Sequence, residues 1–220
     1  MNRHALSTRL WHWANAACLV VLFLSGLNIS NAHPWLYWGH WGFAPEQAWL
    51  HLPRFPGWMT IPGHYSLAGA RLWHLFVAWP FAVGLLLFML AALVNGHFRR
   101  DLALRRGEWR WQAIRADVAE HLRGHFAREG AKFNLLQKLA YGLVIFLALP
   151  LMILTGLAMS PGMDANWPVL VDLFGGRQSA RSLHFLTAWG LAGFLLLHLV
   201  LVLLSGPGRQ VRDMITGGRV

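Results

Sequence analysis

Cysteine and acidic residues are scarce in this chain of 220 residues, and their scarcity excludes several kinds of chemistry. Cys18 is the only cysteine, so the chain forms no internal disulfide and has neither a C-x-x-C-H haem attachment motif nor a zinc-binding cysteine spacing. Asp and Glu together number nine. The sequence contains no carboxylate pair, nucleophile–base set or glycine-rich phosphate loop. We therefore expect no catalytic turnover carried out by the side chains themselves.

Long apolar runs dominate what is present. Hydrophobic residues make up 56% of the chain, charged residues 13%, and the mean hydropathy is +0.41, a composition typical of a membrane protein. A helix needs about 20 apolar residues to cross a bilayer. Four runs reach this length, and we predict a single all-α domain over residues 1–220, a transmembrane four-helix bundle. The runs are Leu10–Ile29, Leu72–Val94, Leu139–Met159 and Leu183–Leu204.

The basic residues indicate how the chain is oriented in a membrane. A net charge of +10 is also found in nucleic-acid-binding proteins, but here the charges cluster beside the apolar runs. Arg3 and Arg9 precede the first run, ten Lys and Arg residues lie between Arg99 and Lys138, and three follow the last run. Such residues accumulate on the cytoplasmic side. We predict a multi-pass protein of the bacterial inner membrane that has both termini in the cytoplasm, contacts lipid and binds no nucleic acid.

Two long connections differ in composition. Residues 28–70 are rich in Trp, Pro, Gly and His, which predicts an interfacial platform on the periplasmic side. A docking surface for another subunit and a lipid-facing aromatic belt both fit the same composition. The second connection mixes acidic and basic residues at helical spacing, which predicts a cytoplasmic amphipathic surface helix. Its apolar face comprises Trp109, Trp111, Ile114, Val118 and Leu122.

Four histidines lie in or beside the apolar runs, where an ionisable side chain is costly and indicates function. His184 and His198 are 14 residues apart, so a helix places them on similar faces, about 21 Å apart along its axis. The predicted topology puts His74 and His184 near the periplasmic face, and His12 and His198 near the cytoplasmic face. Helix bundles hold cofactors between facing helices. We predict two haems b with bis-histidine ligation, although each histidine taken singly also fits a structural role.

An arginine precedes three of these histidines by three residues. The sequences are RLWH from Arg9, RLWH from Arg71 and RSLH from Arg181. Residues at i and i+3 share a helix face, so each guanidinium would lie one turn outward of its histidine. Because arginine binds carboxylates bidentately, we predict that these residues contact haem propionates. A role as helix-end anchors at the membrane interface is an alternative that is compatible with this one.

These motifs resemble those of a known family. RLWHWANA in the first run, RLWH in the second and H-x13-H in the fourth are similar to the dihaem b-type cytochrome subunits of nickel–iron hydrogenases and formate dehydrogenases. That family is grouped with bacterial cytochrome b561, and the resemblance covers all four runs. It implies the same histidine pairing and the role of an electron-transfer subunit in a quinone-linked oxidoreductase complex.

The resemblance also implies a quinone site. KFNLLQK, at the start of the third run, resembles the family's Asn-containing motif beside the inner haem. It implies quinone binding by Asn134, Gln137 and Lys138, whose side chains are hydrogen-bond donors that quinone carbonyls need. Alternatively, Asn134 simply caps the third helix.

The sequence thus predicts a cytochrome that carries electrons between a quinone at the cytoplasmic-side haem and a periplasmic partner at the periplasmic-side haem. The partner would be a molybdopterin, iron–sulfur or hydrogenase-type subunit, and the long aromatic connection resembles relatives that accompany molybdopterin enzymes. One alternative is a stand-alone haem b quinone reductase that acts on superoxide or another small oxidant. A non-redox anchor or proton-relay transporter is another, and it predicts a colourless protein. The scarcity of intramembrane acids disfavours this last alternative.

Overall fold

The computed structural model describes residues 6–96, 98–104, 110–123 and 134–218. Within these ranges, four helical segments are long and apolar enough to cross a membrane, as the apolar runs predicted. Each segment begins before the corresponding run, because the helix continues through polar residues that suit the membrane interface, such as Arg9, Arg71 and Lys138. The segments are Leu6–Ala32, Leu67–Val94, Leu135–Ala158 and Arg177–Leu204.

Shorter elements connect these segments. Residues Trp35–Leu36 (β1) and Leu50–His51 (β2) form a two-stranded antiparallel sheet in which Trp35 lies opposite His51. The third spanning segment contains a π-helical turn, Val144–Ala148. In chain order the helices are α1 (Leu6–Ala32), α2 (Leu67–Val94), α3 (Trp111–Leu122), α4 (Leu135–Leu143), α5 (Leu149–Ala158), α6 (Pro161–Asn166), α7 (Pro168–Leu173), α8 (Arg177–Leu204) and α9 (Pro207–Thr216).

The spanning helices expose large apolar side chains. On α2, Leu72 is 71% exposed and Phe76 is 69% exposed, and Leu203 on α8 is 64% exposed. A soluble domain rarely leaves such large apolar surfaces uncovered, whereas lipid tails cover them at no cost in a membrane. The surface of these helices therefore agrees with a multi-pass membrane protein.

The aromatic connection between α1 and α2 is attached to the end of α1 by two asparagines. The buried Asn28 side chain donates from Nδ2 to Thr60 Oγ1 at 3.0 Å and to the His64 carbonyl at 2.8 Å. Asn31 Nδ2 donates to the Phe55 carbonyl at 2.9 Å. These bonds satisfy polar groups of a segment that has little regular structure of its own.

The same connection is also attached to the first turn of α8. The Gly39 N–H donates to Ser179 Oγ at 2.7 Å, and the Gly39 carbonyl accepts from Gln178 N. Gly176 makes this approach possible, because a Cβ there would lie 2.4 Å from the Gly39 carbonyl carbon. Its φ of +113° is also one that glycine adopts readily and other residues do not. The predicted platform is thus tied to the start of the helix that carries His184.

Helix α3 occurs where the amphipathic surface helix was predicted. Trp111 is 68% exposed, and Val118 is also exposed, whereas the acidic Asp117 is buried. Asp117 Oδ2 accepts from the Leu136 N–H at 2.9 Å. The acid therefore faces protein while the tryptophan faces outward, which suits a helix in contact with lipid. Trp109 and the side chain of Leu122 lie outside the described part of the chain.

The chain packs as two compact units. One unit comprises Met1–Arg9, Leu86–Leu149 and Phe194–Val220, and the other comprises Leu10–Leu85 and Pro150–Gly193. The second unit contains a small buried core of Ala158, Val171 and Ala180. A single domain over residues 1–220 stays a prediction.

Candidate functional site

His74 on α2 and His184 on α8 lie close together. Their ring centres are 6.3 Å apart, and the ring planes are tilted by 58°. A metal ion bound between two imidazole nitrogens, with bonds of about 2 Å, separates the ring centres by about 6 Å. The observed spacing therefore fits one iron atom shared by the two rings.

A buried hydroxyl group contacts each of these two rings at the same nitrogen. Ser25 Oγ lies 2.9 Å from His74 Nδ1, and Thr155 Oγ1 lies 2.9 Å from His184 Nδ1. Both hydroxyl-bearing residues are fully buried. Because Nδ1 is engaged in each ring, Nε2 is the nitrogen left to bind a metal.

A glycine follows each hydroxyl residue and lies beside the ring. A Cβ at Gly26 would lie 3.8 Å from His74 Cε1, and a Cβ at Gly156 would lie 3.5 Å from His184 Cε1. Cε1 lies between the two ring nitrogens, and Nδ1 of His184 is the next nearest atom to the Gly156 position, at 3.9 Å. The two glycines therefore leave space beside Cε1 of each ring, as a flat macrocycle bound at Nε2 would require.

Sequence reasoning missed Ser25 and Thr155, although a signal for both is present. Residues 24–30 read LSGLNIS and residues 154–160 read LTGLAMS. The shared pattern L-[S/T]-G-L-x-x-S begins once in the first spanning segment and once in the third, where its last two residues follow the helix. A comparison of the spanning segments with one another would have found it.

His12 and His198 have aromatic neighbours. His12 on α1 meets Trp13 edge to face, with ring centres 5.1 Å apart. His198 on α8 stacks with Phe194 at a ring-centre distance of 6.2 Å and an angle of 16°. His12 and His198 belong to different units, and their joint ligation of a haem stays a prediction.

Arg71 and Arg181 belong to a cluster of positive charge. Arg71 Nη2 lies 3.4 Å from His33 Nε2, and Arg181 lies within electrostatic range of Arg71 and Arg177. Burial, together with the charges of Arg181 and Arg71, lowers the pKa of His33. A carboxylate bound here would relieve the repulsion, so the cluster fits a propionate group.

Arg9 lies near the start of α1. Its Nη1 donates to the Ile215 carbonyl of α9. Its Nε is buried and has no hydrogen-bond partner among the described residues. A buried N–H without a partner is costly, and an anionic group would satisfy it. Propionate binding by the three arginines stays a prediction that these surroundings favour.

Asn134 and Gln137 form a capping box at the start of α4. Asn134 Oδ1 accepts from Gln137 N at 2.9 Å, and Gln137 Oε1 accepts from Asn134 N at 3.2 Å. The capping alternative for Asn134 is therefore confirmed, and quinone binding by these two residues stays a prediction. Lys138, one residue further along, lines an apolar groove of about 320 Å³ with Leu139 and Phe146.

No cluster of three or more His, Cys, Asp or Glu side chains suited to a metal ion occurs in the ranges that the structure describes. Haem iron does not need one, because the macrocycle supplies four ligands and the protein supplies the axial ones. The residues present, two histidines with engaged Nδ1 atoms and clustered arginines, fit haem b.

The chain is similar to known proteins over nearly its whole length. The family model for prokaryotic cytochrome b561 matches residues 3–217. The chain is 29% identical over 200 residues to the putative protein-methionine-sulfoxide reductase subunit YedZ1 of Azospira oryzae, which covers 89% of this chain and 87% of that protein. No solved structure gave a significant match.

Hydrogenase cytochrome subunits are similar as well. The chain is 27% identical over 232 residues to the probable Ni/Fe-hydrogenase B-type cytochrome subunit of Cupriavidus necator, covering 96% of this chain and 83% of that protein. It is 27% identical over 211 residues to the protein of the same name from Azotobacter chroococcum, covering 88% of this chain and 76% of that protein.

The family match spans all four membrane helices and the histidines within them. The resemblance stated from the sequence motifs is therefore confirmed. Membership implies haem b as cofactor and electron transfer as function. The chain belongs to the prokaryotic cytochrome b561 family of membrane-embedded b-type cytochromes.

Proposed function

We propose that this protein carries electrons between a membrane quinone and a periplasmic oxidoreductase partner through two haems b. His74 and His184 would hold one iron near the periplasmic face, and His12 and His198 would hold the other near the cytoplasmic face. The observation that carries the proposal is the 6.3 Å separation of the His74 and His184 rings, combined with the engaged Nδ1 atom of each. When bound, each haem supplies a one-electron carrier whose potential the protein tunes.

The side chains have separate tasks in this proposal. The Nε2 atoms of His74 and His184 would bind iron, and Ser25 and Thr155 would hold the rings by their Nδ1 atoms. Arg71 and Arg181 would bind propionates at the ends of their helices. His184 and His198 are 14 residues apart on one helix, so two such sites would lie about 21 Å apart. Two carriers at this spacing divide a path across the membrane that is too long for one rapid tunnelling step.

A quinone would bind near the start of α4. The groove beside Lys138 has about 320 Å³ of space, which is within the range of small-molecule sites. The Lys138 ammonium would donate a hydrogen bond to a quinone carbonyl, and Asn134 and Gln137 lie in the adjoining turn. Reduction of a quinone takes up two electrons and two protons, and oxidation of the quinol releases them.

Names of the relatives favour a partner protein. The Azospira and Cupriavidus relatives are each named as a subunit of a redox enzyme. In this chain, the platform between α1 and α2 leaves Trp41 and Trp58 more than three-quarters exposed, and exposed tryptophans often serve as anchors at interfaces. These observations favour a docked oxidoreductase over a stand-alone reaction with superoxide.

An optical spectrum of the detergent-purified protein, oxidised and dithionite-reduced, tests the proposal when it is combined with a pyridine haemochrome count. We expect two low-spin haems b per chain. A colourless protein would instead support the anchor or proton-relay alternative. Co-purification in mild detergent tests the partner, since a stand-alone superoxide-reactive protein would purify alone and bleach its reduced haem on addition of superoxide.

A further inference from the structure

We propose that Ser25 and Thr155 are positioning residues that fix the tautomer of His74 and His184 and lower the reduction potential of the iron bound between them. This inference rests on the proposed haem ligation. Neither residue would touch the iron. Each would act through the histidine that it contacts, because the direction of the hydroxyl proton determines which ring nitrogen carries a proton.

Each hydroxyl already has an acceptor for its proton. Ser25 Oγ lies 2.7 Å from the Val21 carbonyl oxygen, and Thr155 Oγ1 lies 2.6 Å from the Leu151 carbonyl oxygen. A carbonyl oxygen only accepts, so the hydroxyl proton points to the backbone. The hydroxyl oxygen must then accept from the histidine, which places the proton of the neutral ring on Nδ1. Nε2 is left with its lone pair free for iron.

The two hydroxyls have equivalent backbone surroundings. Ser25 Oγ also lies 3.1 Å from the Leu22 carbonyl oxygen, and Thr155 Oγ1 also lies 3.2 Å from the Met152 carbonyl oxygen. Each hydroxyl thus has carbonyl oxygens three and four residues before it, and both only accept.

Each ring is held by a different neighbouring helix. Ser25 on α1 contacts His74 on α2, and Thr155 on α5 contacts His184 on α8. The repeated L-[S/T]-G-L-x-x-S pattern places the hydroxyl and the following glycine in the same way in both. The ligands are therefore oriented before they share a metal, which reduces the entropy cost of binding.

A hydrogen bond from Nδ1–H has a redox consequence. It increases the basicity of the metal-ligating nitrogen, and a more electron-rich ligand stabilises the ferric state relative to the ferrous state. Removal of the hydroxyl should therefore raise the midpoint potential of this haem and leave the other haem unchanged.

Two other hydroxyls provide matched controls, Ser30 on α1, which also carries Ser25, and Thr187 on α8, which carries His184. Ser30 Oγ donates to the Gly26 carbonyl at 3.0 Å, and Thr187 Oγ1 donates to the Leu183 carbonyl at 2.7 Å. Both repeat the bond to the carbonyl four residues earlier, but neither is hydrogen-bonded to a histidine among the described residues. Their replacement tests the loss of a hydroxyl without the loss of a histidine contact.

The experiment is an optical redox titration of the full-length protein in detergent, together with EPR of the ferric state. In Ser25→Ala and Thr155→Val, we expect both haems to remain and the potential of one to rise. At the wild-type midpoint, its ferrous-to-ferric ratio should increase by about three- to tenfold. Ser25→Thr and Thr155→Ser should restore the wild-type values, and Ser30→Ala and Thr187→Val should leave them unchanged.

Each outcome decides a separate question. Unchanged potentials and EPR signals in Ser25→Ala and Thr155→Val, with both haems present, would overturn the inference alone. Loss of one haem from a variant with intact helical circular dichroism supports positioning if the hydroxyl-retaining variant restores it, and overturns it otherwise. A wild-type protein without haem would overturn the proposed function itself.

Discussion

His74 and His184 lie beside hydroxyl groups, whereas His12 and His198 lie beside aromatic rings. In the first pair, each Nδ1 is 2.9 Å from a hydroxyl oxygen. In the second set, Trp13 meets His12 edge to face and Phe194 stacks against His198. Hydrogen bonding changes the electron donation of an imidazole ligand, and packing mainly fixes its plane. If both histidine pairs bind haem as proposed, these surroundings would give the two haems different potentials.

The largest effect should come from removal of one ligand at a time. His184→Ala should lower the haem count from two to one per chain. It should also eliminate the component of the redox titration whose midpoint potential Ser25→Ala shifts. His198→Ala should remove the other component and abolish quinone coupling. The haemochrome count measures the loss of haem in both variants, the redox titration identifies the lost component, and haem reduction by quinol measures the coupling. His64→Ala, in the exposed connection, is the control, and two haems in either ligand variant would refute the ligand assignment.

The next effect concerns the space beside the rings. Gly156→Leu should fill the volume next to His184 Cε1 and prevent haem binding at that site. A Cβ at Gly156 would already lie 3.5 Å from Cε1, so a longer side chain has no room. Gly190→Leu is the control, since nothing lies within 4 Å of a Cβ there. Absorbance at the haem Soret band per chain is the measurement. Full haem content in Gly156→Leu would show that the macrocycle lies elsewhere.

A smaller effect is expected from the arginine cluster. Arg71→Gln and Arg181→Gln should each lower the potential of the His74–His184 haem, because a nearby cation favours the reduced, less positive iron. A neutral residue also weakens propionate binding, by about 1–3 kcal/mol for a charge-assisted hydrogen bond. Arg54→Gln is the control, because Arg54 lies over the Tyr65 ring. A shift of equal size in the control would assign the effect to general surface charge.

The smallest effect is a pH dependence that distinguishes the empty cluster from the filled one. Burial and the charges of Arg181 and Arg71 lower the pKa of His33 below its usual 6.5. The unfolded state then binds more protons, so this residue reduces stability as the pH falls below about 6.5. Melting of haem-depleted protein at pH 5.5 and 7.5 should show this loss, and His33→Gln should reduce it. The loss should disappear in the haem-loaded protein if propionates neutralise the arginines, and its persistence there would argue against propionates in the cluster.

Local features of the fold were predictable from the sequence. The four spanning segments were predicted because the length and apolarity of a helix determine whether it crosses a membrane. A helix at the position of α3 and the cap at Asn134 are both present in the structure, since both depend on neighbours within a few residues. The contact of α3 with the membrane surface stays a prediction. The helix ends were less well predicted, because interfacial residues such as those of RQSARS before His184 have no clear hydropathy signal.

Contacts over long sequence distances were not predictable in the same way. Ser25 meets His74 across 49 residues, and Thr155 meets His184 across 29. The spacing rules that identified the histidines apply within one helix and say nothing about which side of another helix they meet. The capping box also showed that Asn134 and Gln137 use their side-chain oxygens locally, which the quinone motif alone did not indicate.

The number of spanning helices, the candidate ligands and the family of the chain could all be read from its residues. These properties follow from apolar length, helical spacing and motif, all of which are written along one dimension. Only the tertiary structure decided that His74 and His184 lie 6.3 Å apart, with a hydroxyl at each Nδ1. The physical reason is that helix packing, through the faces that small residues allow to approach, selects which side chains meet.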